Sequence, residues 1–307
     1  MEQAALERKL GNAKALRDIM VTMRSLSAAQ LRRGQAALEA IRQYEETICR
    51  GLLRSRYEPP SRTTPDRVLI IVLGSDQGMC GGLTQRLVDR AILRIERHSA
   101  VTRILAVAGR RAQAYLEARG QRVDYRYESA VSVRGVDAVV EALAEHIEKE
   151  LPGGPCCRVE VVYTRQSGEY GGSASALCIY PPQPRIPDGA VLPRFDPQSY
   201  ELLADVLAAS LPEWSYAALY RCALESLAAE HEARMRTTDA GVHTLDRRLD
   251  ELRLSLNHLR QESITNEIQE LVAGAGKSIL SRQRDPRTDA QIMRLRHPRE
   301  SSEPRES

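Results

Sequence analysis

The sequence predicts an α/β domain inserted between two long helices that pair as an antiparallel coiled coil. Two observations predict the helices: residues 1–58 and 213–285 contain no proline, and both stretches space apolar residues alternately three and four positions apart. A third observation predicts the domain, because short apolar runs alternate with amphipathic segments between these stretches. The two ends of the chain are therefore expected to form a rod.

The N-terminal helix, predicted over residues 1–58, carries a coiled-coil seam. Its seam residues follow one another at strict spacings of three and four positions, which keep them on one face of a supercoiled helix. Glu45 is the one acidic interruption of this face. The seam consists of Leu31, Gly34, Leu38, Ile41, Glu45, Ile48 and Leu52.

The C-terminal helix, predicted over residues 201–280, has a seam that changes direction. The step from Leu259 to Ile264 spans five positions and rotates the apolar face. We interpret this step as the point where the helix leaves one neighbour and begins to face another; the alternative is a local stutter in one continuous seam. The residues before the step are Val242, Leu245, Leu249, Leu252, Leu256 and Leu259, and those after it are Ile264, Ile268, Leu271 and Ala275.

The stretch between the two helices, residues 66–200, alternates predicted strands with predicted helices. This pattern is typical of a small Rossmann-like domain with a mostly parallel sheet. The predicted strands are Arg67–Leu73, Thr102–Ala108, Arg158–Thr164 and Ser175–Tyr180, and the predicted helices are Leu83–Arg97, Arg110–Arg119 and Val136–Glu150. Residues 281–307 lack apolar periodicity, and we expect them to form a disordered tail.

Composition argues against several classes of protein. The 44 basic and 41 acidic residues leave a net charge of +3, which gives no reason to expect nucleic acid as a partner. The six cysteines lack Cys-x-x-Cys spacing, so no metal site is expected. No secretory signal is visible, and no apolar run approaches the about 20 residues of a membrane span. We expect a cytoplasmic protein with no cofactor and no direct membrane insertion.

A glycine-rich turn follows the first predicted strand, at the place where a dinucleotide-binding domain carries its phosphate loop. The pattern Gly-x-x-Gly-Gly matches neither Gly-x-Gly-x-x-Gly nor Gly-x-x-x-x-Gly-Lys-Ser/Thr, and no lysine is near it. We predict a structural turn formed by Gly78, Cys80, Gly81 and Gly82, in which Cys80 packs rather than reacts.

Four sequence blocks resemble, in order, the γ subunit of F-type ATP synthases. The first two are RKLGNAKALRDIMVTMRSLSAAQLRRGQ (Arg8–Gln35) and VLIIVLGSDQGMCGGL (Val68–Leu83). The others are ALYRCALESLAAEHEARM (Ala218–Met235) and LNHLRQESITNEIQELVAGA (Leu256–Ala275). The first helix is less basic than is usual in the family, and residues 276–307 continue past the family's usual end. We therefore expect a divergent member with a C-terminal extension.

The resemblance implies a central-stalk rotor that transmits torque between an ion-driven membrane ring and the catalytic β subunits, without performing chemistry itself. The implied partners are the α and β subunits of a hexamer, the ε subunit and a ring of c subunits, at the cytoplasmic face of the bacterial inner membrane. The coupling ion, proton or sodium, is left open. The alternatives are a coiled-coil adaptor unrelated to ATPases and a nucleotide-dependent enzyme, which would need a phosphate loop and a titratable cluster.

The resemblance also implies contact residues on both long helices. Arg260 and Gln261 would form a catch that meets loops of β, because a planar guanidinium suits carboxylate partners. Met23 would lie beside this catch, where a flexible side chain can slide past several surfaces. Arg32 and Arg33 would supply positive charge to acidic loops of β or, alternatively, form a solvated face.

Two further positions lie in the block Ile-Thr-x-Glu-Ile near the end of the C-terminal helix. The resemblance implies that Thr265 and Glu267 orient the upper helix against its neighbours. No residue of the chain is expected to be catalytic.

Overall fold

A computed structural model describes residues 2–54, 57, 65–150, 157–166, 172–184 and 203–283; within these ranges, residues 53–54, 203–204 and 274–283 are described as backbone only. The chain divides into two units. One consists of Met1–Ala15 together with Leu245–Ser307, and the other consists of Leu16–Thr244. The predicted domain bounds stay predictions, since residues 58–64 and 185–202 lie outside the description. Most of the predicted tail, residues 284–307, lies outside it as well.

The secondary structure of the described ranges follows the predicted order of elements. The long terminal helices are confirmed, and the predicted elements of the inserted domain are reproduced to within three residues. The helices are α1 (Glu2–Arg54), α2 (Leu83–Arg97), α3 (Arg110–Ala118), α4 (Val133–Glu150) and α5 (Leu203–Gln283). The strands are β1 (Arg67–Leu73), β2 (Thr102–Ala108), β3 (Tyr125–Tyr127), β4 (Cys157–Arg165) and β5 (Ser173–Tyr180).

The strands form one sheet in the order β3-β2-β1-β4-β5. β1 is parallel to both of its neighbours, with Ile70 opposite Leu105 on β2 and Glu160 on β4. β2 and β3 are also parallel, whereas β5 is antiparallel to β4. The predicted mostly parallel sheet is confirmed. β3 was not predicted, because three residues are too few to show a strand period.

Both faces of the sheet are covered, which explains the unbroken apolar run of β1. Val68, Ile70 and Val72 pack against α2 and α3 on one face. The alternate residues of β1 pack on the other face, in a core that α4, α1 and α5 complete. The members of this second core include Leu69, Ile71, Leu73, Val140, Leu143, Leu38, Leu52, Leu219 and Leu224. The long helices of this unit and the sheet therefore share one hydrophobic core.

The N-terminal seam is buried in the unit Leu16–Thr244, and its acidic interruption is paired. Leu31, Leu38 and Leu52 are buried. Glu45 accepts hydrogen bonds from the Arg221 guanidinium of α5, and both side chains are mostly buried. A charged seam position is compatible with this packing because its partner lies on the facing helix.

The C-terminal seam is buried in the unit of Met1–Ala15 and Leu245–Ser307, but only as far as Leu259. Leu249, Leu252 and Leu256 are buried. The Arg260 guanidinium lies 3.0 Å from the Glu7 carboxylate of α1. From Arg260 to Ala273 every side chain of α5 is exposed. The five-residue step in the seam thus coincides with the end of burial, as expected if the helix leaves one neighbour there.

Asp76 joins three segments at the carboxyl end of the sheet. Its Oδ1 accepts a hydrogen bond of 2.8 Å from the backbone N–H of Arg110, the first residue of α3, and its Oδ2 accepts hydrogen bonds from both the backbone N–H and the hydroxyl of Ser129. Burial opposes the charged form of Asp76, but these hydrogen bonds outweigh it and lower the pKa of the carboxyl. The ionised side chain therefore stabilises both the start of α3 and the loop after β3.

We expect Asp76→Ala to lower the free energy of unfolding by about 1–2 kcal/mol at neutral pH, because it removes these hydrogen bonds. Since the folded pKa lies below the unfolded value near 3.9, the stabilisation is present above about pH 4 and is lost as the pH falls through the folded pKa. Urea unfolding of both proteins at several pH values measures this difference.

Asp89→Ala is the matched control, because the Asp89–Arg119 pair lies on the surface with both side chains half exposed. Its effect on the free energy of unfolding should stay within about 0.5 kcal/mol. A cost of Asp76→Ala that did not shrink in acid would contradict the role of the ionised carboxyl.

Candidate functional site

The predicted catch lies on the exposed part of α5. Arg260, Gln261, Thr265 and Glu267 all have exposed side chains. The Arg260 side chain is 53% exposed although it pairs with Glu7, so part of the guanidinium remains open to a partner. Hydrogen bonds from Gln3 and from Arg260 lower the pKa of Glu7.

The Thr265 hydroxyl is already engaged within its own helix. It donates a hydrogen bond of 2.8 Å to the backbone carbonyl of Gln261, one turn earlier. The hydroxyl proton is therefore already used, and the hydroxyl oxygen can only accept a hydrogen bond from an outside partner. The predicted orienting role of Thr265 stays a prediction.

An exposed apolar stripe follows the catch along α5. Ile264, Ile268, Leu271 and Val272 occupy one face at helical spacing, and Leu271 is 73% exposed. A contiguous exposed apolar face on a helix marks a contact surface for another protein. Sequence periodicity placed Ile264, Ile268 and Leu271 in the second apolar set of the C-terminal helix. It identified neither these three nor Val272 as site residues.

The predicted contact residues of α1 belong to the other unit. Met23 is half-buried, whereas Arg32 and Arg33 are exposed. Neither arginine has an ion-pair partner within the described ranges, which is compatible with both interpretations of these charges. The prediction that Met23 lies beside Arg260 stays a prediction, because the two residues lie in separate units.

The glycine-rich turn has the backbone of a tight turn. Met79 and Gly81 have φ values of 62° and 55°, in the left-handed region that side chains rarely adopt. A Cβ at Gly78 would lie 2.7 Å from the Arg111 guanidinium, so a larger residue there would require the end of this flexible side chain to shift. The Cys80 thiol is buried and donates a hydrogen bond of 3.3 Å to the Gly78 carbonyl.

Arg234 of α5 holds this turn against the helix. Its Nε donates to the Gly78 carbonyl at 3.2 Å, and its Nη2 lies 3.3 Å from the Cys80 sulfur. The same guanidinium pairs with Glu230 one helical turn earlier, and both side chains are buried. Sequence reasoning did not single out Arg234; a Glu and an Arg at helical spacing within an alanine-rich run were the signal that it offered.

The electrostatics around Arg234 disfavour reactivity. Burial raises the pKa of the Cys80 thiol to about 11, although the nearby Arg234 opposes this shift. Burial and the charge of Arg234 lower the pKa of His231 to about 4. Thiol and imidazole therefore both stay neutral near pH 7, and the cluster acts as packing rather than as a nucleophile and base.

Neither a membrane span nor a metal cluster is found in the part of the chain that the structure describes. No helix there is long and apolar enough to cross a bilayer. No group of three His, Cys, Asp or Glu side chains in the same ranges is arranged to hold a metal ion.

A family model described as ATP synthase matches residues 2–276 of the chain. A relative named ATP synthase gamma chain, from Pelotomaculum thermopropionicum, is 29% identical over 280 residues, covering 88% of this chain and 96% of the relative. A second relative of that name, from Parafrankia sp., is 27% identical over 285 residues, covering 87% of this chain and 95% of the relative.

The fold is shared with chains of solved mitochondrial ATP synthase structures. A chain from the OSCP, F1 and c-ring assembly of Euglena gracilis mitochondrial ATP synthase has a TM-score of 0.60 at 14% identity, covering 92% of this chain and 96% of that one. A chain from the central stalk and c-ring of the Tetrahymena thermophila enzyme has a TM-score of 0.52 at 16% identity, covering 73% and 99%.

We expect Arg234→Leu to lower the free energy of unfolding by about 3–5 kcal/mol, because it leaves the Glu230 carboxyl buried without its partner. The double variant Glu230→Leu/Arg234→Leu should cost less than the single one, since no unpaired charge remains. Urea unfolding measures both.

As a control, Arg248→Ala removes an exposed ion pair on the same helix and should cost less than about 1 kcal/mol. A single variant as stable as this control would contradict the role of Arg234.

Proposed function

The chain belongs to the ATP synthase gamma chain family, and from this premise we propose that it is the central-stalk rotor subunit of an F-type ATP synthase. Its partners in this role are the α and β subunits of the hexamer, the ε subunit and the ring of c subunits. The match over residues 2–276 supports this function over a coiled-coil adaptor unrelated to ATPases.

The observation that carries the proposal is the exposed end of α5. From Arg260 to Ala273 the helix exposes every side chain, including the apolar stripe of Ile264, Ile268, Leu271 and Val272. An isolated helix that keeps an apolar face in water gains stability when a partner surrounds it. The bore of an αβ hexamer is such a surrounding, and the apolar stripe would turn within it as a bearing.

Arg260 and Gln261 act as the catch in this proposal. The Glu7 carboxylate holds the Arg260 guanidinium by one ion pair, and about half of the side chain stays exposed. A carboxylate on a passing loop of β would compete with Glu7 for this guanidinium, so the contact forms and breaks at low cost. Met23, Arg32, Arg33, Thr265 and Glu267 supply further contacts to the hexamer.

Rotation works through unequal contacts and not through chemistry in this chain. An asymmetric shaft contacts the three β subunits differently, and each β subunit shifts toward the conformation that its contact favours. The shared core of the sheet, α1 and α5 supplies the stiffness that torque requires. The bacterial origin of the curated relatives supports a position at the cytoplasmic face of the bacterial inner membrane.

The first test is coexpression of this chain with the α and β subunits of its own source, followed by purification and an assay of ATP hydrolysis. We expect one copy of the chain per three αβ pairs. Arg260→Ala/Gln261→Ala should lower hydrolysis by up to about tenfold, the effect of losing about 1.4 kcal/mol of contact free energy. Ile264→Asp/Ile268→Asp should weaken assembly, because it buries charge in the bearing.

Arg248→Ala is the matched control, since Arg248 is an exposed arginine of α5 that pairs with Glu251 before the catch. Hydrolysis by this variant should equal that of the unchanged complex. If no complex forms, or if hydrolysis depends on neither the chain nor the catch residues, the rotor proposal is wrong and the adaptor becomes the better explanation.

A further inference from the structure

A pocket rich in arginine lies in the unit Leu16–Thr244, away from the predicted catch and from the glycine-rich turn. It has a volume of about 390 Å³ and lies between the end of α2, strands β4 and β5, and the two long helices. Pockets of this size accommodate small ligands. Its charged lining consists of Arg94, Arg97, Arg158, Arg221 and Glu45.

Glu160 does not line the pocket itself, but it pairs with two of the arginines that do. Its carboxylate is fully buried and accepts hydrogen bonds from Arg94 at 2.7 and 2.5 Å and from Arg158 at 3.3 Å. Burial opposes the charge of Glu160, but the hydrogen bonds from Arg94 outweigh it and lower the pKa. A bidentate pair of this kind holds the Arg94 guanidinium in one orientation before any ligand arrives.

The geometry of the sheet brings this charged group to the pocket. The register of β4 and β5 shifts between Val159 and Glu160, so Glu160 lies opposite Cys178, which lines the pocket. Bulges of this kind redirect side chains beside sites. Glu160 is thus fully buried, although the alternation of Arg158, Val159, Glu160 and Val161 along β4 would by itself place it on a polar face.

Positive charge exceeds negative charge around the pocket. Arg221 pairs with Glu45 and lies 3.4 Å from Glu225, which also accepts a hydrogen bond of 3.0 Å from Arg42. Four guanidinium groups thus share three carboxylates and a fifth has none, so positive charges exceed negative ones by two. The groups are Arg42, Arg94, Arg97, Arg158 and Arg221, with Glu45, Glu160 and Glu225.

Arg97 is the cation of this set that nothing in the described chain neutralises. No ion pair or hydrogen bond of its guanidinium occurs within the described ranges, whereas Arg94, Arg158 and Arg221 are each paired and mostly buried. The Arg97 side chain is exposed, so its guanidinium can meet an anion from solvent without first breaking an ion pair.

We propose that this pocket binds a small phosphate-bearing anion, with Arg97 and the free edges of Arg94 and Arg158 as its ligands. A phosphate group carries a charge of about −1.5 to −2 at neutral pH, which matches the excess. The guanidinium fork suits phosphate oxygens through paired hydrogen bonds. The inference rests on this unit alone and does not depend on the rotor role.

The chain carries its own reporter for this binding. Trp214, the one tryptophan of the sequence, lines the pocket and is 3% exposed. We would titrate the full-length chain with inorganic phosphate, and separately with AMP, at constant ionic strength. Trp214 fluorescence and calorimetry would both be recorded. We expect saturable binding, and the probe that binds more tightly identifies free phosphate or a phosphate ester as the source.

Arg97→Ala should raise the Kd for the tighter probe about tenfold, because it removes one charge-assisted contact. Its unfolding midpoint should not change, since Arg97 is exposed. Arg122→Ala is the control, because it removes the same charge from a side chain that is 92% exposed and does not line the pocket. It should leave the Kd within about twofold.

Two results would overturn the proposal. One is the absence of saturable binding of either probe up to about 10 mM, a concentration at which even weak specific sites fill. The other is a Kd that Arg97→Ala and Arg122→Ala change equally, or that Arg97→Ala leaves unchanged. Either outcome would assign the binding to general surface charge. A rise in the Kd that occurs in Arg97→Ala and not in Arg122→Ala supports the pocket.

Discussion

The packing of α1 against α5 in the unit Leu16–Thr244 is the constraint on which the other features of that unit depend. Gly34 lies against Ala228, where an added Cβ would come within 3.7 Å of the alanine side chain. The same two helices contribute Leu38, Leu52 and Leu224 to the core that supports the sheet. Because one core serves both the helices and the sheet, a load on the helices reaches the sheet without a hinge between them.

Buried polar groups in this unit connect the helices to the inserted domain. Arg234 ties the glycine-rich turn to α5, and Arg221 ties α5 to Glu45 of α1. Each of these arginines meets a carboxylate and further acceptors, so its charge is retained where water is scarce. By contrast, the end of α5 keeps its apolar and charged side chains exposed, as expected of a surface that serves partners.

Sequence periodicity predicted the elements whose side chains repeat over many residues. The strict seam of α1, the apolar run of β1 and the amphipathic pattern of α2 each left a clear signal, and each element is present. β3 was missed because a three-residue strand depends on its neighbour β2 for its hydrogen bonds. The catch residues came from family resemblance, and nothing in their local pattern distinguishes Gln261 from any exposed residue.

The sequence by itself determined the order of the elements, the family and the position where the apolar face of α5 rotates. These properties follow from the types of residue and their spacing along the chain. Only the tertiary structure decided which charges meet. Glu45 and Arg221, or Arg94 and Glu160, lie far apart in sequence, and no spacing rule links them. The arginine pocket exists because sheet order and a bulge bring separate segments together, and that juxtaposition is set by packing in three dimensions.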